Sequence, residues 1–296
     1  INRCEGYEIK NLKAVKSSAN GTLNINGKNV FLDSIEIDSL PASVAGVNAD
    51  GIHFEYLENA ILSNLNIQSQ DDCLGFAYFP IIPGNPNNGP AGRDTPSANI
   101  VVTNCVLKCD IATGIRVGNT TAIGAAEGLA LDNQISKYAR YENMTFSNIV
   151  FNKAGESGPC IIMNEIRNNM EHPNNNIRFN NCVINDSTST TTSLIEMKGN
   201  AYVSGQATYA ASGLIRNYNR VFFNGISGTH NTAGQTINAG GVSYLSLSNY
   251  EIQRISSTAD NEIITRLVDN FYLKDSVVTS NPLSGTSNTV LCIDYD

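Results

Sequence analysis

The sequence predicts an all-β chain coiled into a β-helix of about nine or more rungs. Two observations predict it. A strand-sized phrase recurs nine times, reading a branched apolar residue, further apolar positions, an Asn or Asp, then apolar residues again. Each copy is accompanied by a second short apolar strand beyond a variable insert. Self-similarity at a period of roughly 20–50 residues marks a solenoid, and repeats made only of strands mark a β-helix. Composition agrees. Gly, Asn, Ser and Thr are abundant, Trp is absent and charged residues make up only 16% of the chain, which suits turn-rich β structure.

The phrases begin at Tyr7 (YEIKNLKAV), Val30 (VFLDSIEI), Ala60 (AILSNLNI), Ile100 (IVVTNCVL), Met144 (MTFSNIVF), Ile177 (IRFNNCVI), Val221 (VFFNGIS), Leu245 (LSLSNYEI) and Phe271 (FYLKDSVV). The shortest spacing between starts, 23 residues, approximates a bare coil, and the longest, 44, must send its excess outward as loops. Second strands begin at Gly21 (GTLNI), Asp50 (DGIHF), Asp72 (DCLGF), Thr113 (TGIRV), Pro159 (PCIIM) and Ser193 (SLIEM), then less regularly at Ser212 (SGLIR), Glu262 (EIITR) and Thr289 (TVLCI). The fifth position of the phrase reads Asn11, Ser34, Asn64, Asn104, Asn148, Asn181, Gly225, Asn249 and Asp275, which predicts an internal ladder of stacked polar side chains at a turn. Three inserts are large: 77–98 with five prolines, 119–140, and 198–219. The first two leave the same part of adjacent rungs and are expected to flank one patch of surface.

The repeat spans the chain, so residues 1–296 read as one elongated domain. A formal charge of −8 leaves no basic patch to replace counterions on a phosphate backbone, which excludes nucleic acid as a partner. No signal peptide or membrane-spanning run is present, and the chain opens in a strand phrase, as a mature or trimmed fragment would. Seven cysteines lack a C-x-x-C pair. Cys105 and Cys182 share one column and Cys73 and Cys160 another, each pair one rung removed, about 9–10 Å apart and too far for a disulfide. They read as buried core thiols, and no metal or cofactor is assigned.

In a β-helix, equivalent residues of successive rungs stack about 4.8 Å apart. Aligned on their alternation, the second strands put Ile52, Leu74 and Ile115 inward, with Phe54, Phe76 and Val117. Two columns then face solvent: Asp50, Asp72 and Thr113, and His53, Gly75 and Arg116. Asp71 adjoins Asp72. Crowded carboxylates raise one another's proton affinity, so such a trio can hold one group protonated and another ionised, the pair of states glycoside hydrolysis requires. A bound cation and an ordinary solvated face are the other readings of the same residues. His53 and Arg116 are candidate substrate contacts, Asn48 a candidate contact or turn cap, and Tyr78, with Phe79, a candidate for stacking on a sugar ring.

The segment from Asn48 to Phe76 resembles the core of the polygalacturonase-like glycoside hydrolases, pectinases with a right-handed parallel β-helix. Asn48-Ala49-Asp50-Gly51 matches the family's Asn-x-Asp-Gly, and Asp71-Asp72-Cys73 matches its Asp-Asp-Cys at the right spacing. The resemblance is strongest over about residues 30–118. It implies a single-stranded, pectin-lyase-like solenoid and an inverting hydrolase, with Asp71 as general acid and Asp50 and Asp72 activating the water. Inversion asks for about 6.5–9.5 Å between acid and base carboxyls, so Asp71 is expected farther across than the Asp50–Asp72 pair. The chain departs from the family where its Gly-His-Gly and Arg-x-Lys should stand: here are Thr113, and then Ile162 and Asn164. Those basic residues contact a uronate in the family. Their absence points to a neutral or mixed glycan in place of plain polygalacturonate, with Thr113 a candidate contact.

The expected partner is a polysaccharide or oligosaccharide, the expected location extracellular, without membrane insertion. Two variants share the site. One is a phage tailspike or depolymerase, homotrimeric and on a virion surface. The other is a polysaccharide lyase, which would need Ca²⁺ or basic groups to stabilise its anion. A non-catalytic glycan-binding module fits the missing basic residues and fits less well the retained trio.

Overall fold

The computed structural model describes residues 4–17, 22–39, 50–69, 71–78, 96–109, 112–118, 138–153, 158–165, 170–187, 193–198, 216–231, 234–255, 261–279 and 289–294. All of its regular structure is strand: β1 (Cys4–Ser17), β2 (Leu23–Ser39), β3 (Ile52–Ser63), β4 (Asn66–Ser69), β5 (Leu74–Phe76), β6 (Ser97–Cys109), β7 (Ile115–Val117), β8 (Tyr141–Lys153), β9 (Ile161–Asn164), β10 (Asn175–Asp186), β11 (Ile195–Lys198), β12 (Tyr218–His230), β13 (Ile237–Arg254), β14 (Asn261–Lys274), β15 (Val277–Thr279) and β16 (Thr289–Asp294). Every pairing is parallel, and the strands stack rung upon rung as a parallel β-helix. Parallel strands joined by crossovers coil right-handed in nearly all proteins.

The predicted register is the observed one. Tyr7 pairs with Val30, Val30 with Ala60, Ala60 with Ile100, Ile100 with Met144, Met144 with Ile177, Ile177 with Val221, Val221 with Leu245, and Leu245 with Phe271. A one-residue slip would turn every apolar side chain of a strand outward, so the buried face pins this column. The second strands stack likewise: Ile52 on Leu74, Leu74 on Ile115, Ile115 on Ile161, and Ile161 on Ile195. One prediction fails here. Ile195 continues to Ile237 at the start of β13, so that rung's second strand is Thr236-Ile237-Asn238-Ala239 and not the segment at Ser212. That strand runs on without a break into the next phrase, which hid it. Most of Ser212–Arg216, and most of the three inserts, lie outside the described residues.

The fifth-position column is a corner, and it lies on the outside. All nine residues from Asn11 to Asp275 hold a left-handed backbone, with φ between 47° and 68°. Asn and Gly tolerate that conformation best, which is why the column is rich in them. The side chains are mostly exposed, with Asn148 donating to Asn104 at 3.2 Å. The expectation of an internal ladder is therefore corrected. A left-handed residue between two strands turns the chain and points its side chain away from the core. A second corner lies five residues earlier at Asn29, Asn59, Asn99, Asn143 and Asn176, and it carries the continuous amide ladder: Asn59 to Asn29, Asn99 to Asn59, Asn143 to Asn99 and Asn176 to Asn143 at 2.8–3.3 Å.

Inside, Phe54 stacks on Phe76 with ring centres 4.7 Å apart, Phe76 meets Phe146 edge-on, and Phe146, Phe179 and Phe223 stack at 4.7 and 5.0 Å. Cys73, Cys105, Cys160 and Cys182 are buried free thiols, as their columns predict.

Candidate active site

The trio is assembled by the backbone ladder of the short second strands. Gly51 donates to Asp72 O at 2.8 Å, Cys73 donates to Thr113 O at 2.8 Å, and Thr22 donates to Asp50 O at 2.9 Å. Asp50, Asp72 and Thr113 therefore occupy consecutive rungs, as the alignment of the sequence expects. Asp50 stands at a bend before β3. A Cβ on Gly51 would lie 2.5 Å from the Cys73 carbonyl oxygen, so only glycine lets the two rungs approach here. That bend breaks the strict alternation and puts Asp50 on the same side as His53. Asp71 and Asp72 come from the turn between β4 and β5, where Ser69 Oγ donates to Asp71 O at 2.8 Å.

One oxygen from each of Asp50, Asp71 and Asp72 lies within 4.8 Å of the others. These oxygens are thus closer than the expected separation of about 6.5–9.5 Å between acid and base. The flanking columns do not face open solvent. Asp50 is 7% exposed, Asp72 1%, Thr113 2% and His53 8%. The reason is mutual cover on the outer face. His53 Nδ1 contacts Asp50 Oδ2 at 3.2 Å and its Nε2 reaches Ala77 O at 2.9 Å, while Arg116 reaches across one rung to Asp72. Gly75, directly beside His53 in register, makes room: a Cβ there would stand 3.3 Å from His53 Nδ1.

Burial pushes Asp72 up from 3.8 to about 7. Arg116 and the Thr113 hydroxyl pull it down, and Asp50 and Asp71 add to the rise. Burial wins because the Arg116 contact, Nε to Oδ2 at 2.9 Å, is not an aligned hydrogen bond. Asp72 Oδ1 is buried with no hydrogen-bond partner among the described residues. Asp71 is also raised, first by its own burial and then by Asp50, against the pull of Arg116. Three such oxygens are close enough to hold a small cation, but Arg116 already supplies positive charge at Asp72. The arrangement suits proton transfer: half-buried Asp71 and buried Asp72 both hold protons above the ordinary carboxylate range, beside a third carboxylate.

Tyr78 is not placed to stack on a sugar. It is 2% exposed, its ring packs 5.1 Å from that of Tyr141, and its hydroxyl bridges Ser97 and the Arg140 carbonyl. A Tyr just past the short strand turns inward because Ser97 and Arg140 O offer its hydroxyl partners within the core. Asn48 and Phe79 lie outside the described residues. Thr113 lies against Asp72, and its value as a direct substrate contact is reduced by burial. The column beyond Arg116 continues through Ile162 to Glu196 and Asn238. Glu196 is not singled out by the sequence, where only the second strands at Asp50, Asp72 and Thr113 are aligned into columns. The sequence places Gly75 in the column of His53 and Arg116, and the structure adds that its missing Cβ makes room for the His53 ring.

Residues 1–81 match the model of glycosyl hydrolases family 28. No curated protein matches the chain. Among solved structures, the chain is similar to the family 28 exopolygalacturonase of Yersinia enterocolitica, at 12% identity and a TM-score of 0.49. The alignment covers 94% of this chain and 45% of that one, so the chain spans less than half of that protein's length. The matched segment contains all three aspartates and ends before Thr113, Arg116 and Ile162; over residues 1–81 the chain is similar to glycosyl hydrolases family 28.

Proposed function

We propose that the chain is a glycoside hydrolase of the pectinase type that cleaves O-glycosidic bonds of a polysaccharide with Asp50, Asp71 and Asp72. The observation that carries this reading is the convergence of three carboxylate oxygens within 4.8 Å of one another, inside the polygalacturonase-like segment. A hydrogen bond between oxygens is about 2.7–2.8 Å long, so one water can touch two carboxylates at that separation. Asp71, raised and only partly buried, protonates the leaving oxygen as the glycosidic C–O bond breaks. Asp50 takes the proton of the attacking water as its oxygen bonds to the anomeric carbon, and Asp72 orients that water. The reading of a single displacement with inversion rests on the resemblance and not on this spacing, which is shorter than the roughly 6.5–9.5 Å that an inverting acid and base ordinarily keep.

The substrate is a neutral or mixed glycan. Support comes from the outer column, where Arg116 is engaged by Asp72, Ile162 is apolar and Glu196 is acidic. A uronate carboxylate would meet in this column a guanidinium already engaged by Asp72 and an apolar side chain. We propose an extracellular location for the protein.

The test is a screen of neutral and acidic polysaccharides, reading released reducing ends and the anomer first formed. Hydrolysis is expected in the wild type and a loss of at least about 100-fold in Asp71→Asn. Equal cleavage by Asp71→Asn would sink the assignment of the acid, and retention of configuration would sink the single displacement.

A further inference from the structure

We infer that His53 is the positioning residue of the catalytic base: it is held as an imidazolium, paired with an ionised Asp50, by the carbonyl of Ala77. This rests on the hydrolase reading for its consequence but not for its chemistry. A carbonyl oxygen only accepts hydrogen bonds, so the 2.9 Å contact between His53 Nε2 and Ala77 O puts a proton on Nε2. A neutral imidazole carries one proton, and that one is now spent. The 3.2 Å contact between Nδ1 and Asp50 Oδ2 therefore needs a second proton between the two. Asp50 accepts on its other oxygen as well, from the Asp72 amide at 3.3 Å. The proton between the two rests on Nδ1, because an imidazole is ordinarily a stronger base than a carboxylate, and the contact is then a charge-assisted pair.

The pairing sorts the charges of the site. The groups facing Asp50 are His53, Asp71 and Asp72, with Arg116 beyond Asp72. Two cations stand against three carboxylates. His53 answers Asp50, while Arg116 contacts Asp72 and also acts on Asp71, so its charge is shared between those two. Asp71 is the group the hydrolytic reading needs protonated, and Asp50 the one it needs ionised. Gly75 is part of the device. It stands beside His53 in register, and a Cβ would press to 3.3 Å from Nδ1 and 3.8 Å from Asp50 Oδ2, so its absence lets the ring lie across the rung to Ala77.

The experiment is nitrogen-detected NMR of the full chain labelled at its three histidines. At neutral pH both ring nitrogens of His53 are expected to carry the signature of protonated imidazole. In Asp50→Asn, which keeps the shape and removes the charge, one nitrogen is expected to lose it. A wild-type His53 with an unprotonated Nδ1 overturns the inference, and so does a signal that Asp50→Asn leaves unchanged. His53 is assigned by the signal missing in His53→Gln; if that variant does not fold, His172→Gln and His230→Gln assign it by exclusion. A kinetic arm separates this inference from the hydrolase reading. His53→Gln is expected to lower kcat about 100-fold with KM nearly unchanged. If Asp71→Asn cleaves normally while the spectra are as expected, the hydrolytic reading fails and the ion pair stands. If the spectra fail while Asp71→Asn is inactive, only the pair is lost.

Discussion

Arg116 Nε stands 2.9 Å from Asp72 Oδ2 across one rung, and yet Asp72 is held up at about 7. The guanidinium approaches without an aligned hydrogen bond, so the burial of Asp72 outweighs its charge. Asp72 must be ionised to orient a water. The limb of kcat/KM that reports Asp72 is therefore expected to rise near pH 7, and loss of the Asp71 proton opposes it with a falling limb, so that the profile is bell-shaped. Arg116→Gln removes a group that lowers Asp72, so the rising limb is expected to move to higher pH. A pH–rate profile of both proteins on one substrate checks it, and a limb that stays in place would show that another group controls activity.

The same residue makes stability depend on pH. The folded value, about 7, lies above the ordinary 3.8, so the folded state binds this proton more tightly than the unfolded chain does. The contribution is complete below about pH 3.8 and is lost as pH rises through 7. Asp72→Asn cannot ionise, and its stability is expected to change less between pH 5 and pH 8 than that of the wild type. Urea denaturation at the two pH values measures the difference.

Phe179 stacks between Phe146 and Phe223, with ring centres 4.7 and 5.0 Å away. Phe179→Ala opens a cavity in a core whose rungs touch only their neighbours, at a cost of about 3–5 kcal/mol. Hydrogen exchange is expected to show lost protection in β8, β10 and β12 and near-native protection in β1 and β2. Uniform loss along the chain would mean that the rungs melt as one unit.

Arg254 and Glu262 form a fully buried pair, joined through Nε to Oε1 and through Nη2 to Oε2, the latter at 2.7 Å. Glu262→Gln leaves the guanidinium without its counter-charge and is expected to destabilise by about 3–5 kcal/mol. Arg254→Met with Glu262→Leu removes both charges and is expected to cost less than the single change. Denaturation midpoints of the three proteins decide between a pair that stabilises and one that merely must not be broken.

Much of this was legible in the residues. The phrase starts superpose in register because one face of each strand is apolar, and a slip of one residue would expose it. The alignment of the second strands put Asp50 and Asp72 on consecutive rungs for the same reason. What misled was treating outward as exposed. Tyr78, His53 and Thr113 each carry a polar end, and the alternation of a strand says nothing of what covers that end. The missed strand at Thr236 runs on into the following phrase, so no turn signal separated the two.

By itself the sequence determined the coil, its register and the stacking of the aspartates, because apolar periodicity and rung spacing are properties of the chain order. Only the tertiary structure decided the state of those aspartates. Their burial, the reach of Arg116 to Asp72, and the bridge from Asp50 through His53 to Ala77 O depend on side chains from three different rungs. Electrostatic strength follows distance and desolvation in three dimensions, and neither is written in spacing along one strand.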